Sequence, residues 1–123
     1  MKRLVLLYVD DDDDIRTVVT MALSLDPDIA LRAAASGEEA LTAVAAGFRP
    51  DAVVLDVMMP GMDGPALLER LRRLPPTAAT PVIFMTARGR QADIDFYRAR
   101  GAAGVIVKPF DPITLAQRVR ALL

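Results

Sequence analysis

Several apolar runs end abruptly on polar side chains, and the types of those side chains suit phosphate chemistry. Leu4–Val9 runs into Asp10, with Asp11, Asp12, Asp13 and Asp14 behind it. Residues 52–55 run into Asp56, residues 82–85 into Thr86, and residues 105–107 into Lys108. Carboxylates crowded together repel, which raises their pKa or recruits a cation. The chain has no His and no Cys, so the ligands on offer are oxygens. These point to Mg²⁺, with Mn²⁺ as the alternative, rather than to zinc. Mg²⁺ keeps several of its waters, so two carboxylates and a backbone carbonyl suffice and leave room for phosphate oxygens. An ammonium and a hydroxyl can meet the other oxygens of a phosphoryl group by charge and hydrogen bond. The chemistry this suggests is phosphoryl transfer to a carboxylate, with Asp56 as nucleophile.

The absences exclude other chemistry. Without Cys there is no disulfide, thiolate nucleophile or Cys-based zinc site. Without His there is no Ser-His-Asp triad, and the chain carries no phosphohistidine of its own. Fifteen Lys and Arg against sixteen Asp and Glu leave a net charge of −1. That balance offers no electrostatic reason for direct contact with nucleic acid or an anionic membrane. No apolar run approaches the roughly 18 residues of a membrane span. Leu4–Val9 is too short and too quickly acidic for a signal peptide, so a cytoplasmic protein is expected.

The elements that position these groups follow from periodicity. Apolar, β-branched runs at Leu4–Val9, Ile29–Ala34, 52–55, 82–85 and 105–107 read as strands, all but the second almost continuously apolar as in a sheet covered on both faces. Between them the spacing is helical. Ile15, Val18, Val19 and Ala22 form one face; Leu41, Val44 and Ala45 another; Leu67 or Leu68 with Leu71 and Leu74 a third; Leu115, Val119 and Leu122 the last. Residues 90–100 are the least regular of these segments. Ser36 with Glu39 reads as a capping box, Asp14 as the cap of the first helix, Pro65 and Pro112 as first-turn residues, and Gly47 and Gly101 as helix ends. With 123 residues, 53% of them apolar, and neither repeat nor linker, the chain is read as one α/β domain spanning 1–123. Alternating strands and helices imply a parallel sheet with helices on both faces, and ligands at the carboxyl ends of the strands where their order reverses.

Four segments carry a family resemblance over essentially the whole chain: Val9-Asp10-Asp11-Asp12-Asp13-Asp14-Ile15-Arg16, Leu55-Asp56-Val57-Met58-Met59-Pro60-Gly61-Met62-Asp63-Gly64, Met85-Thr86-Ala87 and Val107-Lys108-Pro109-Phe110. In this order and spacing the chain resembles the receiver domain of bacterial two-component response regulators. The resemblance implies a doubly wound, flavodoxin-like sheet of order 2-1-3-4-5 flanked by five helices. It implies a phosphorelay switch in which Asp56 accepts the phosphoryl group from a phosphohistidine on a sensor histidine kinase or phosphotransfer protein. Asp11 is then the direct Mg²⁺ ligand, Asp10 holds metal-bound water, and Asp56 and the Met58 carbonyl complete the protein's ligands. Thr86 turns its hydroxyl to the phosphoryl oxygen. Lys108 pairs with Asp56 and later with phosphate, with Lys108–Pro109 a cis peptide.

The chain also departs from the family. Val105 stands where most receivers carry an inward-swinging Tyr or Phe, so the usual threonine–aromatic readout lacks its second member. Phe96 and Tyr97 are read as core packing. Met58 and Arg88 flank the expected path of an attacking water, which predicts slow self-dephosphorylation. The output is changed binding to an unidentified protein, and the end of the chain at Leu123 slightly favours a stand-alone receiver.

Plainer readings exist for each residue taken singly. Asp12, Asp13 and Asp14 suit a solvated helix N-terminus, and Asp56 alone would be an ordinary turn residue. Met58, Met59 and Met62 suit loop packing. Two other functions compete: a degenerate receiver acting as a protein-binding scaffold, and an Asp-nucleophile, Mg²⁺-dependent phosphohydrolase. For the latter Asp10 and Asp12 match the expected acids, but Asp14 takes the place of its Thr or Val.

Overall fold

The structure, a computed structural model, describes residues 2–123. Strands β1 (Leu4–Val9), β2 (Ile29–Ala34), β3 (Ala52–Asp56), β4 (Val82–Thr86) and β5 (Gly104–Val107) alternate with helices α1 (Asp13–Leu23), α2 (Gly37–Ala45), α3 (Gly64–Arg72), α4 (Gln91–Ala99) and α5 (Leu115–Ala121). Every strand pair is parallel, and the order across the sheet is β2-β1-β3-β4-β5. The order reverses between β1 and β3, which opens a crevice at their carboxyl ends.

Successive strand residues face opposite sides of a sheet, and here both sides are covered. Leu7, Val9, Val53, Leu55, Val82 and Phe84 pack with Val44 of α2, Leu67 and Leu71 of α3 and Tyr97 of α4. Leu6, Tyr8, Ala52, Val54, Ile83, Met85 and Ile106 pack with Val19 and Leu23 of α1 and Leu115 and Val119 of α5. Continuing the alternation past the strand ends puts Asp10, Asp56 and Lys108 in phase with the α1/α5 side, and Thr86 in phase with the other.

Local chemistry sets the element ends, with some departures from expectation. β3 and β4 each extend one residue further, through Asp56 and Thr86, because these still pair in register with Met85 and Val107. β5 begins one residue earlier, at Gly104. Asp12, not Asp14, caps α1: its Oδ1 accepts the amides of Asp14 and Ile15 at 2.9 and 3.0 Å. A cap must reach amides two and three positions on, and Asp14 is already inside the helix. Pro112 precedes α5 instead of opening it, since Asp111 folds a turn there by accepting the Ile113 amide at 2.9 Å. Val18 is 44% exposed, because α1 buries Val19, Ala22 and Leu23 instead. A 3-10 turn at Pro75–Thr77, unannounced by periodicity, is tied down by the Thr77 hydroxyl donating to the Leu71 carbonyl at 2.6 Å.

Other signals hold. Ser36 accepts the Glu39 amide while Glu39 takes the Ala35 amide, both at 3.1 Å. Pro65 lies in the first turn of α3, behind an Asp63 cap. Gly47 and Gly101 end helices at positive φ.

Candidate functional site

The carboxyl ends of β1, β3 and β5 deliver two acids and an ammonium to one place. Asp56, closing β3, is 7% exposed and Asp10, just beyond β1, is 1% exposed. Lys108 Nζ donates to Asp56 Oδ1 at 3.0 Å and lies 3.8 Å from Asp10 Oδ2. Asp11 adds a solvent-facing carboxylate, and the three acids have ligand oxygens all within 4.8 Å of one another. Three convergent carboxylate oxygens with one open side suit a hard octahedral cation that keeps its waters, so the donors fit Mg²⁺. Asp12 lies outside this group as the helix cap, and Asp13 and Asp14 face solvent in the first turn of α1. Arg16 clamps the loop, donating to the Asp10 carbonyl at 2.9 Å and pairing with Asp13.

Burial drives the electrostatics. It pushes the Asp56 carboxyl above its ordinary value; Lys108 opposes this, and the neighbouring charges of Asp10 and Asp11 reinforce it. An ionised Asp56 is therefore disfavoured among these neighbours, which is the condition that favours a cation. Asp10 has its own partners: Oδ1 accepts the Asp12 amide at 3.0 Å and Oδ2 accepts the Tyr8 hydroxyl at 2.7 Å. Burial first, and then this carboxylate, hold the Tyr8 phenol far above its ordinary value, so it stays a donor. Spacing arguments pass over Tyr8, although a hydroxyl two positions before Asp10 must share its face of the strand.

The remaining expected residues divide. Thr86 is 2% exposed, and its Oγ1 accepts the Arg88 amide at 3.0 Å. Lys108–Pro109 is cis. Val105 is half-buried against the layer that holds Phe84, Tyr97 and Ala102. Tyr97 packs in that core, 5.1 Å from the Phe84 ring, but Phe96 does not: it is 47% exposed, with the Arg100 guanidinium over its ring. The loop after β3 buries Met59 and half-buries Met62, whereas the Met58 side chain is 67% exposed and contributes no loop packing. The Arg88 side chain is exposed as well. Gly64 closes this loop so tightly that a Cβ there would stand 2.7 Å from the Asp56 carbonyl oxygen and 2.9 Å from Val57 Cα.

Comparison with known proteins agrees with this geometry. The family described as "Response regulator receiver domain" matches residues 6–120. The transcriptional regulatory protein CseB of Streptomyces avermitilis is 40% identical over 117 residues, 95% of this chain and 48% of that protein. The transcriptional regulatory protein AfsQ1 of Streptomyces coelicolor is 40% identical over 118 residues, 96% of this chain and 50% of that protein. The chain thus spans about half the length of these relatives. Among solved structures, the chemotaxis response regulator CheY4 of Vibrio cholerae superposes with a TM-score of 0.87 at 34% identity, covering 99% of this chain and 100% of that one.

Proposed function

The chain belongs to the response regulator receiver domain family, and from that premise we propose that it is a phosphorelay switch with Asp56 as its phosphoacceptor. The family's domains are signalling modules that bind Mg²⁺ at an acidic pocket, and they are generally not enzymes. The observation that carries the reading is Asp56 Oδ1 at 3.0 Å from Lys108 Nζ, inside a group of acids whose oxygens lie within 4.8 Å of one another.

In this reading an Asp56 oxygen attacks the phosphorus of a partner's phosphohistidine. The P–O bond forms as the P–N bond breaks, and the imidazole keeps the departing electron pair. Lys108 moves from carboxylate pairing to phosphoryl pairing, giving a charge-assisted bond to an oxygen that gains negative charge. Thr86 turns its hydroxyl proton to a second phosphoryl oxygen. Asp11, Asp56 and the Met58 carbonyl would hold the Mg²⁺, with Asp10 supporting the site beside them. Bound Mg²⁺ would offset the acids' mutual repulsion and the charge of the incoming group. The domain spans 1–123, turns over no general substrate, and labels and unlabels only itself. Its donor is a sensor kinase or phosphotransfer protein in the cytoplasm. Its output is altered binding to another protein or to a further domain, without direct contact with nucleic acid.

Acetyl phosphate with Mg²⁺ tests this. The wild type gains one phosphoryl group by mass and loses that ability in EDTA, and Asp56→Asn gains none. Retained labelling in Asp56→Asn removes Asp56 from its role. A scaffold that never takes phosphate draws support from Val105 alone, and a wild type silent to acetyl phosphate would favour it.

A further inference from the structure

Tyr8 has no part in the chemistry above, yet its side chain is fully buried and its hydroxyl donates to Asp10 Oδ2 at 2.7 Å. A phenylalanine would fill the same apolar layer between β1, α1 and α5. A hydroxyl in such a layer needs a partner, and here the partner belongs to the acidic cluster. Each Asp10 oxygen is consequently held by a donor, Oδ1 by the Asp12 amide at 3.0 Å and Oδ2 by the phenol. The carboxylate cannot rotate without breaking one of these bonds. Oδ2 is also the oxygen nearest Lys108, at 3.8 Å, while the same ammonium sits 3.0 Å from Asp56. Two acids therefore compete for one cation, and the phenol weakens the claim of one of them.

We infer that Tyr8 is a positioning residue: it fixes Asp10 as a hydrogen-bonding wall of the metal site and leaves Lys108 to Asp56. This rests on the reading of the site as a Mg²⁺-dependent phosphoacceptor. Without the hydroxyl, buried Oδ2 lacks its donor and the nearest replacement is Lys108. An Asp10 carboxylate that turns towards the ammonium leaves the fixed orientation in which it would support the metal site. Loss of such outer partners typically weakens metal binding by about 10–100-fold.

Calorimetric titration of Mg²⁺ into the wild type, Tyr8→Phe and Tyr97→Phe decides the matter. The Mg²⁺ dissociation constant rises about tenfold in Tyr8→Phe and stays at the wild-type value in Tyr97→Phe. An unchanged or tighter constant in a folded Tyr8→Phe overturns the inference. Wild type that binds no Mg²⁺ overturns the metal-site reading itself, a separate result. A second measurement avoids any folding defect of Tyr8→Phe. The chain has two Tyr and no Trp, so Tyr97→Phe leaves Tyr8 as its only tyrosine emitter. Its emission changes as Mg²⁺ is added and saturates with the calorimetric constant. Emission indifferent to Mg²⁺ that calorimetry shows to be bound overturns the inference as well.

Discussion

Lys108 Nζ reaches across β4, from the end of β5 to the end of β3, to lie 3.0 Å from Asp56 Oδ1. That span joins strands that share no backbone hydrogen bonds, and it only partly offsets the burial of the Asp56 charge.

Asp56→Asn is expected to stabilise the metal-free protein at neutral pH. The folded-state pKa of Asp56 is raised, so folding favours its protonated form. Its contribution is fully present below the ordinary Asp range and is lost as pH rises through the raised value. The melting temperature of Asp56→Asn should exceed that of wild type at pH 7, and the gap should close towards pH 3. Melts at both pH values in EDTA check this; a gap that widens on acidification contradicts it.

Gly64→Ala should destabilise the domain by about 1–3 kcal/mol, the usual scale for forcing atoms into a packed site. The added Cβ would meet the Asp56 carbonyl and the Val57 backbone, neither of which can swing aside. Because the obstruction lies against the end of β3 that carries Asp56, labelling by acetyl phosphate should slow too. Urea unfolding and labelling rates measure the two effects.

Val105→Tyr should strengthen the phosphorylation-dependent change in partner binding. The valine is half-buried beside the Phe84 and Tyr97 layer and has one stiff side-chain torsion, so it has no large swing to couple to Thr86. Equal phosphorylation-dependent binding in wild type and Val105→Tyr would remove this position from the readout.

The aspartyl phosphate is expected to last for minutes or longer. Met58 stands two residues after Asp56, and the amide of Arg88 is bound to Thr86. Both side chains extend from the loops around the site and can hinder an attacking water. Met58→Ala with Arg88→Ala should shorten the lifetime several-fold, as followed by loss of radiolabel. A wild-type half-life of seconds would refute the shielding.

Met21→Lys and Ile113→Lys should impair transfer from a phosphohistidine protein while leaving acetyl phosphate labelling unchanged. Met21 is 68% exposed and Ile113 80% exposed. They extend a shallow apolar surface of Val18, Leu25 and Pro112 that borders α1, which starts beside Asp11, and the segment leading away from Lys108. A small-molecule donor needs no such surface; a protein donor does. Equal loss with both donors would point to damage at the site instead.

Much of this was legible in the residues. Strand runs ending in Asp10, Asp56, Thr86 and Lys108 put the chemistry at one edge of a parallel sheet, because alternation and helical period are local properties of the chain. The order 2-1-3-4-5 was not in those patterns and came from family resemblance, since periodicity says which face a residue takes but not which strand lies beside which. Caps were less legible: Asp12 and Asp14 are the same side chain in the same acidic run, and only the path of the backbone selects the oxygen that reaches two amides. Composition and spacing alone determined an oxygen-only set of carboxylates, a hydroxyl and a lysine at one edge of an α/β frame. Tertiary structure alone decided that Lys108 sits nearer Asp56 than Asp10, that Tyr8 ties up the latter, and that Met58 and Phe96 face solvent. Such distances arise where segments far apart in the chain are packed together, and no local pattern encodes them.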